Sequence, residues 1–98
     1  MTIEKTEGSG TLALKLSGRL DTVTAPELEA ELGEKLEGVR ELTLDMTGLQ
    51  YISSAGLRVL LAAQKRMNRQ GQMRLTGVGE AVMEVFEVTG FADILTIE

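Results

Sequence analysis

Two hydroxyls stand side by side at Ser53 and Ser54, followed by two small residues, Ala55 and Gly56. A strand-like run, Leu42-Thr43-Leu44-Asp45-Met46, and a turn-like Thr47-Gly48-Leu49 precede them, and a helix-patterned segment follows to about Gln70. The serines therefore fall at a strand-to-helix junction. A serine in that place commonly does no more than cap the helix, contributing about 1 kcal/mol. The pair also permits a second chemistry. A phosphate esterified to either hydroxyl would face the positive end of the helix and its free N–H groups, a favourable place for an anion. It would add roughly −2 charge to an exposed surface while leaving the fold intact. The small side chains of Ala55 and Gly56 leave that surface approachable by another protein.

Chemistry performed by these serines, as opposed to on them, is hard to assemble. The chain has neither histidine nor cysteine, which removes the usual general base, thiol catalysis, disulfides and almost every zinc or haem site. Ser53-Ser54 is not a G-x-S-x-G elbow, and Lys65 is too far along the helix to serve as a base. Gly77-Val78-Gly79 is too short for a dinucleotide fingerprint and reads as a turn. No catalytic residue, metal ligand or cofactor is expected.

The elements that must position the junction are read from periodicity. Ile3 opens an edge strand that Glu7-Gly8-Ser9-Gly10 ends as a turn. Thr11 to Ser17 alternates, with Leu12, Leu14 and Leu16 on one face, so the pair forms an antiparallel edge hairpin. Thr24, with Glu27 three residues on, suits a capping box, and Pro26 is tolerated in the first helical turn. That helix buries Leu28, Leu32 and Leu36 and ends near Gly38. Val39 to Met46 is a second alternating strand. After the junction, Leu57, Leu60 and Leu61 form the buried stripe of the long helix, which Gly71 closes in the left-handed capping position. Gln72 to Thr76 is a short strand. A third helix spans Glu80 to Thr89, with Val82, Val85, Phe86 and Val88 apolar, and ends at Gly90-Phe91 in a Schellman fashion. Ile94 to Ile97 makes a last strand. The order β-β-α-β-α-β-α-β implies a single α/β domain over residues 1–98: a mixed sheet with an edge hairpin and parallel crossovers through three helices.

Composition narrows the function. An apolar share of 43% against 26% charged suits a soluble globular domain, and no run approaches the roughly 20 apolar residues of a membrane span. The N-terminal residues lack the basic and apolar regions of a secretory signal, so a cytoplasmic location is expected. Net charge is −5, but the signs are segregated. Between Met46 and Gly79 there is no acidic residue, whereas Arg58, Lys65, Arg66, Arg69 and Arg74 all fall there; Glu27, Glu29, Glu31, Glu34 and Glu37 crowd the first helix. Such asymmetry can steer a charged partner. An acidic domain with only Tyr51, Phe86 and Phe91 as aromatics is a poor nucleic-acid binder.

The run Leu49-Gln50-Tyr51-Ile52-Ser53-Ser54-Ala55-Gly56-Leu57-Arg58-Val59-Leu60 resembles the signature of the STAS domain, in particular of the bacterial anti-sigma factor antagonists. Leu16-Ser17-Gly18-Arg19-Leu20-Asp21, Leu42 to Met46 and Val88-Thr89-Gly90-Phe91 extend the likeness over nearly the whole chain. In that family the signature commonly reads Asp-Ser-Ser/Thr-Gly, and the first hydroxyl after the Asp takes the phosphate. Here that hydroxyl is Ser54, with Ser53 where the Asp stands, Ala55 at the second hydroxyl and Gly56 as the Gly. The resemblance implies that an anti-sigma factor with serine kinase activity phosphorylates Ser54 from ATP, and that the unphosphorylated form binds this kinase and frees its sigma factor. A metal-dependent phosphatase of the PP2C type would reverse the modification. Ser53 is the second-choice acceptor. Asp21 matches an acidic position in the loop beside the switch, and the partner-binding surface is expected over Asp21, Thr22, Ser53, Ser54, Ala55, Gly56 and Arg58. The Ser at position 53 also suits another use of the same fold: a constitutive interaction module of a transporter or stress-sensing complex, without phosphorylation. A domain that holds a small ligand or nucleotide at the helix start is a third reading.

Overall fold

The computed structural model describes all residues from Met1 to Glu98. Strands β1 (Thr2–Gly8) and β2 (Thr11–Leu20) form the expected antiparallel hairpin. Helix α1 (Ala25–Lys35) leads to β3 (Glu41–Ile52), which pairs parallel to β2. Helix α2 (Ser54–Gln70) leads to β4 (Gln72–Thr76), parallel to β3, and α3 (Glu80–Thr89) follows. The sheet order is β1-β2-β3-β4, an α/β domain as read from the sequence.

Register places Leu12 beside Leu42 beside Met73, and Leu14 beside Leu44 beside Leu75, all buried. Because strand side chains alternate, these residues make one face, covered by the helices through Leu28, Leu32, Leu57, Leu60, Met67, Val82 and Phe86. The opposite face carries Glu4, Thr6, Ala13, Lys15, Thr43, Asp45 and Arg74, none of them buried. The molecule is therefore two layers, and α1 is tied over the hairpin by ion pairs from Lys35 to Glu7 and from Lys5 to Glu31.

Several local readings are corrected. Thr47-Gly48-Leu49 is not a turn: β3 continues through it to Ile52. Register shifts between Lys15 and Ser17 and between Gly18 and Arg19 show residues of β3 bulging out of the ladder. Asp45 holds the first bulge, its Oδ1 accepting from the Thr47 N–H at 3.0 Å and the Thr47 hydroxyl at 2.7 Å. Glycine suits the close approach at position 48, where a Cβ would lie 2.6 Å from Ser17 Oγ and 3.2 Å from the Leu16 carbonyl oxygen. The expected last strand is reduced to one parallel bridge, Leu75 with Ile97. A 3-10 turn at Phe91–Asp93 lies between α3 and this bridge. Leu75 N–H then donates to the Thr96 carbonyl at 2.9 Å, and Glu98 N–H to the Leu75 carbonyl at 2.8 Å.

Gly71 is extended (φ 174°) rather than left-handed. Its role is spatial, since a Cβ there would collide with the Arg40 carbonyl. Gly90 does take the left-handed conformation, at φ 83°. Gly38, also left-handed, lies beyond the α1 cap, which is Leu36. Val88 is 80% exposed rather than part of the α3 core stripe, and Leu61 is only half-buried.

Candidate functional site: the junction at the start of α2

Strands β2 and β3 are parallel, so their carboxyl ends lie side by side and both chains leave the sheet there into helices. Ser53 N–H donates to the Leu20 carbonyl at 2.9 Å, binding the start of α2 to the last residue of β2. The loop after β2, Asp21 to Thr24, is thereby set beside Ser53 and Ser54.

Ser53 occupies the N-cap position in extended conformation, φ −101° and ψ 176°, and its carbonyl accepts from Leu57 N–H at 3.0 Å. Its side chain makes no capping hydrogen bond, and Ser53 Oγ is buried without a partner. The first N–H groups of a helix have no intrahelical acceptor, so those of Ser54, Ala55 and Gly56 are left without a side-chain cap. Ser54, the first helical residue, is exposed, and Ala55 is half-buried.

Gly56 differs from its expected place on the approachable surface, because it is buried. A Cβ there would lie 2.7 Å from Leu20 Cγ and 2.9 Å from Ile52 Cγ1. Glycine at this position lets the first turn of α2 settle onto the ends of both parallel strands.

The loop beside the junction is organised by Asp21. Its Oδ1 accepts from the N–H groups of Val23 at 3.0 Å and Thr24 at 3.1 Å. The Thr24 backbone hydrogen bond, more than the Arg19 guanidinium 3.7 Å away, holds the Asp21 carboxyl below its usual range. Thr24 is not the capping residue that its spacing to Glu27 predicts. It is already helical (φ −94°, ψ −21°), and its side chain caps no helix N–H. Its Oγ1 instead accepts from Asp21 N–H at 2.8 Å and donates to the Arg19 carbonyl at 2.7 Å. Asp21 thus takes the cap-like role one turn earlier, with its own carbonyl accepting from Ala25 N–H at 2.8 Å.

Thr22, Ala55 and Arg58 line one open hollow of about 260 Å³ with Ala25, Pro26, Glu29 and Val59. Of the residues expected at the partner surface, the hollow brings together Thr22, Ala55 and Arg58; Ser54, next before Ala55 in the chain, is exposed, and Gly56 is buried. Two residues escape a reading of the sequence. Arg19 lies over the Tyr51 ring, 4.1 Å from its centroid, on the strand ends next to Asp21 and Ser53. Their register as neighbours across β2 and β3 becomes visible only once β3 is known to continue beyond Met46.

The fold and this junction define the class, and comparison with known proteins agrees. The STAS domain model matches residues 2–98, and the chain belongs to the STAS domain family. It is similar to BtrV of Bordetella bronchiseptica, assigned as an anti-sigma factor antagonist, with 39% identity over 99% of this chain and 84% of that one. The anti-sigma-B factor antagonist of Staphylococcus aureus is 28% identical over 99% of this chain and 92% of its own. Among solved structures, the Bacillus anti-sigma factor antagonist SpoIIAA in its unphosphorylated form shares the fold at a TM-score of 0.77 with 15% identity, over 99% of this chain and 87% of that chain.

Proposed function

We propose that this protein is a non-enzymatic regulator, an anti-sigma factor antagonist acting in the cytoplasm without direct contact to nucleic acid or membrane. With Ser54 free, it binds an anti-sigma factor that has serine kinase activity and so releases a sigma factor. Phosphorylation of Ser54 ends that binding, and a PP2C-type phosphatase restores it. Ser53 is the second candidate acceptor. The observation that carries the reading is the exposed Ser54 at an uncapped helix start, directly before Ala55 and one turn before Arg58, which share an open hollow with Thr22. The family membership and the names of the relatives support the partner class.

The physical mechanism is a change of surface charge on a rigid support. A phosphate on Ser54 adds roughly −2 charge and three acceptor oxygens beside free N–H groups, stabilising the helix end while altering what can dock on it. Asp21, Ser53 and Gly56 hold the geometry; Ser54, Thr22, Ala55 and Arg58 meet the partner.

One observation favours the constitutive module instead. Ser53 Oγ has no hydrogen-bond partner, and with Ser rather than a carboxylate at this position no acidic group adjoins Ser54 in sequence to orient its hydroxyl. A single experiment separates the two. The protein is incubated with each serine-kinase anti-sigma factor of its organism and ATP, then examined by mass spectrometry. Phosphate on Ser54, absent from Ser54→Ala, is the expected result. Binding of such a kinase by Ser54→Asp as tight as by wild type would overturn the charge switch, and stable binding without any labelling would establish the constitutive module.

A further inference from the structure

The ion pairs of the molecule are Lys5–Glu31, Arg19–Asp21 and Lys35–Glu7; none uses a cation of α2. Arg58, Lys65 and Arg69 are all exposed. At about 100° per residue they fall within a narrow outward stripe, with Ala62 among them and Ser54 at its head. From Ser54 to Arg69 the stripe is roughly 22 Å long at about 1.5 Å per residue. A molecule of net charge −5 thus presents an unneutralised basic row on the helix that begins at the proposed switch.

We propose that this row is a docking rail for an acidic surface on the kinase that acts on Ser54. The inference rests on the reading of Ser54 as the modified residue. A protein whose active site reaches Ser54 Oγ must lie across the start of α2, and the stripe continues that footprint along the helix. The charge selects an acidic complement, since each cation stands without a partner of its own. The neighbouring helix offers little else to grip. Its groove with α2, lined by Leu32, Gly33, Leu36, Val59 and Ala63, encloses only about 140 Å³. A second copy could set the exposed acidic residues Glu27 and Glu34 of α1 on the row, but the exposed residues of the row, Arg58, Ala62, Lys65 and Arg69, are charged or small, unlike the more apolar core of a homodimer interface. Charge without apolar area acts chiefly on association rate. The rail also gives the switch a direction: a phosphate of about −2 at its head offsets most of the charge of Arg58, Lys65 and Arg69.

The test compares wild type with Lys65→Glu/Arg69→Glu, both sites being far along α2 from Ser54, after circular dichroism shows that the variant folds. In stopped-flow mixing with the kinase that labels Ser54, the variant is expected to associate about tenfold more slowly at roughly 50 mM salt, with dissociation little changed, and to match wild type at about 500 mM salt. Equal association rates at the lower salt would overturn the rail. A second arm needs no kinase: poly-L-glutamate is titrated into the 15N-labelled protein. Amide shifts along residues 58 to 69 of wild type, absent from the variant, support the rail; an unperturbed wild-type helix would overturn it. Failure of every kinase to bind, with the shifts present, would count against the Ser54 reading alone. Self-association on sedimentation that the variant abolishes would give the stripe to a second copy and refute the proposal.

Discussion

Ser53 N–H and the Leu20 carbonyl, 2.9 Å apart, join the ends of two parallel strands at the point where both become helices. This bond, with Gly56 seated on Leu20 and Ile52, makes the start of α2 part of the core although Ser54 itself faces solvent. Serines adjacent in sequence therefore have different fates. The Ser53 Oγ is buried, whereas Ser54 is exposed.

Gly56→Ala tests the seat directly. Its methyl would press on Leu20 and Ile52, both buried, and overpacking of that kind costs typically about 1–3 kcal/mol. The gain in helix propensity, about 1 kcal/mol, offsets part of this. A net loss of about 1 kcal/mol is expected, read as a thermal midpoint about 4–8 °C lower. An unchanged midpoint would mean that the first turn shifts at no cost.

The two serines should separate in stability measurements. Ser53→Ala removes a buried hydroxyl that has no partner, so urea denaturation should show unchanged or slightly raised stability. Ser54→Ala, at an exposed position without a hydrogen bond, should stay within about 0.5 kcal/mol of wild type. A large loss at Ser53 would reveal a hydrogen bond absent from this structure.

Asp21 gives a pH signature. Its carboxyl is held below the ordinary value of 3.8 by Thr24 N–H, with help from the Thr24 hydroxyl, Val23 N–H and Arg19. A lowered folded-state pKa adds stability that is present above the unfolded value and is lost as pH falls through the folded one. The stability difference between wild type and Asp21→Asn should therefore be full at neutral pH and shrink as pH drops below 3.8. Denaturant midpoints across that range check it. A difference that stays constant through acid would assign the Asp21 effect to geometry alone.

Asp45 should matter to the fold beyond its own neighbours. Its carboxylate, likewise held low by the Thr47 hydroxyl and N–H, fixes the first bulge of β3. Asp45→Ala is expected to cost about 1 kcal/mol, within the net range of a typical hydrogen bond, because the carboxylate stays in contact with water. Hydrogen exchange should quicken from Thr47 to Ile52 before it changes in β1. Uniform quickening would show that the bulge is not a separate weak point.

The sheet was legible where its rules are local. Leu12, Leu14 and Leu16 alternate, Leu42, Leu44 and Met46 alternate, and Gly90 ends α3 as its type suggests. Beyond Met46 the buried positions are Leu49 and Ile52, spaced by three instead of two, because each bulge inserts a residue. That spacing looks like a turn to any reading based on alternation. Thr24 and Glu27 have the spacing of a capping box, yet the Thr24 hydroxyl is taken up by the Asp21 N–H and the Arg19 carbonyl. At the site, Ser54 and the long helix were visible from residue types, whereas the burial of Gly56 depends on Leu20, far away in sequence. The Arg19–Tyr51 stack needed the register of strands that no periodicity supplies.

The seat beneath Gly56 has a consequence in time. A helix start held to two strand ends by the Ser53–Leu20 hydrogen bond and the close approach at Gly56 offers little room to rearrange around a group attached at Ser54. If Ser54 is modified as proposed, the molecule would keep no memory of a past modification, and resetting would be as fast as the hydrolysis of one ester bond.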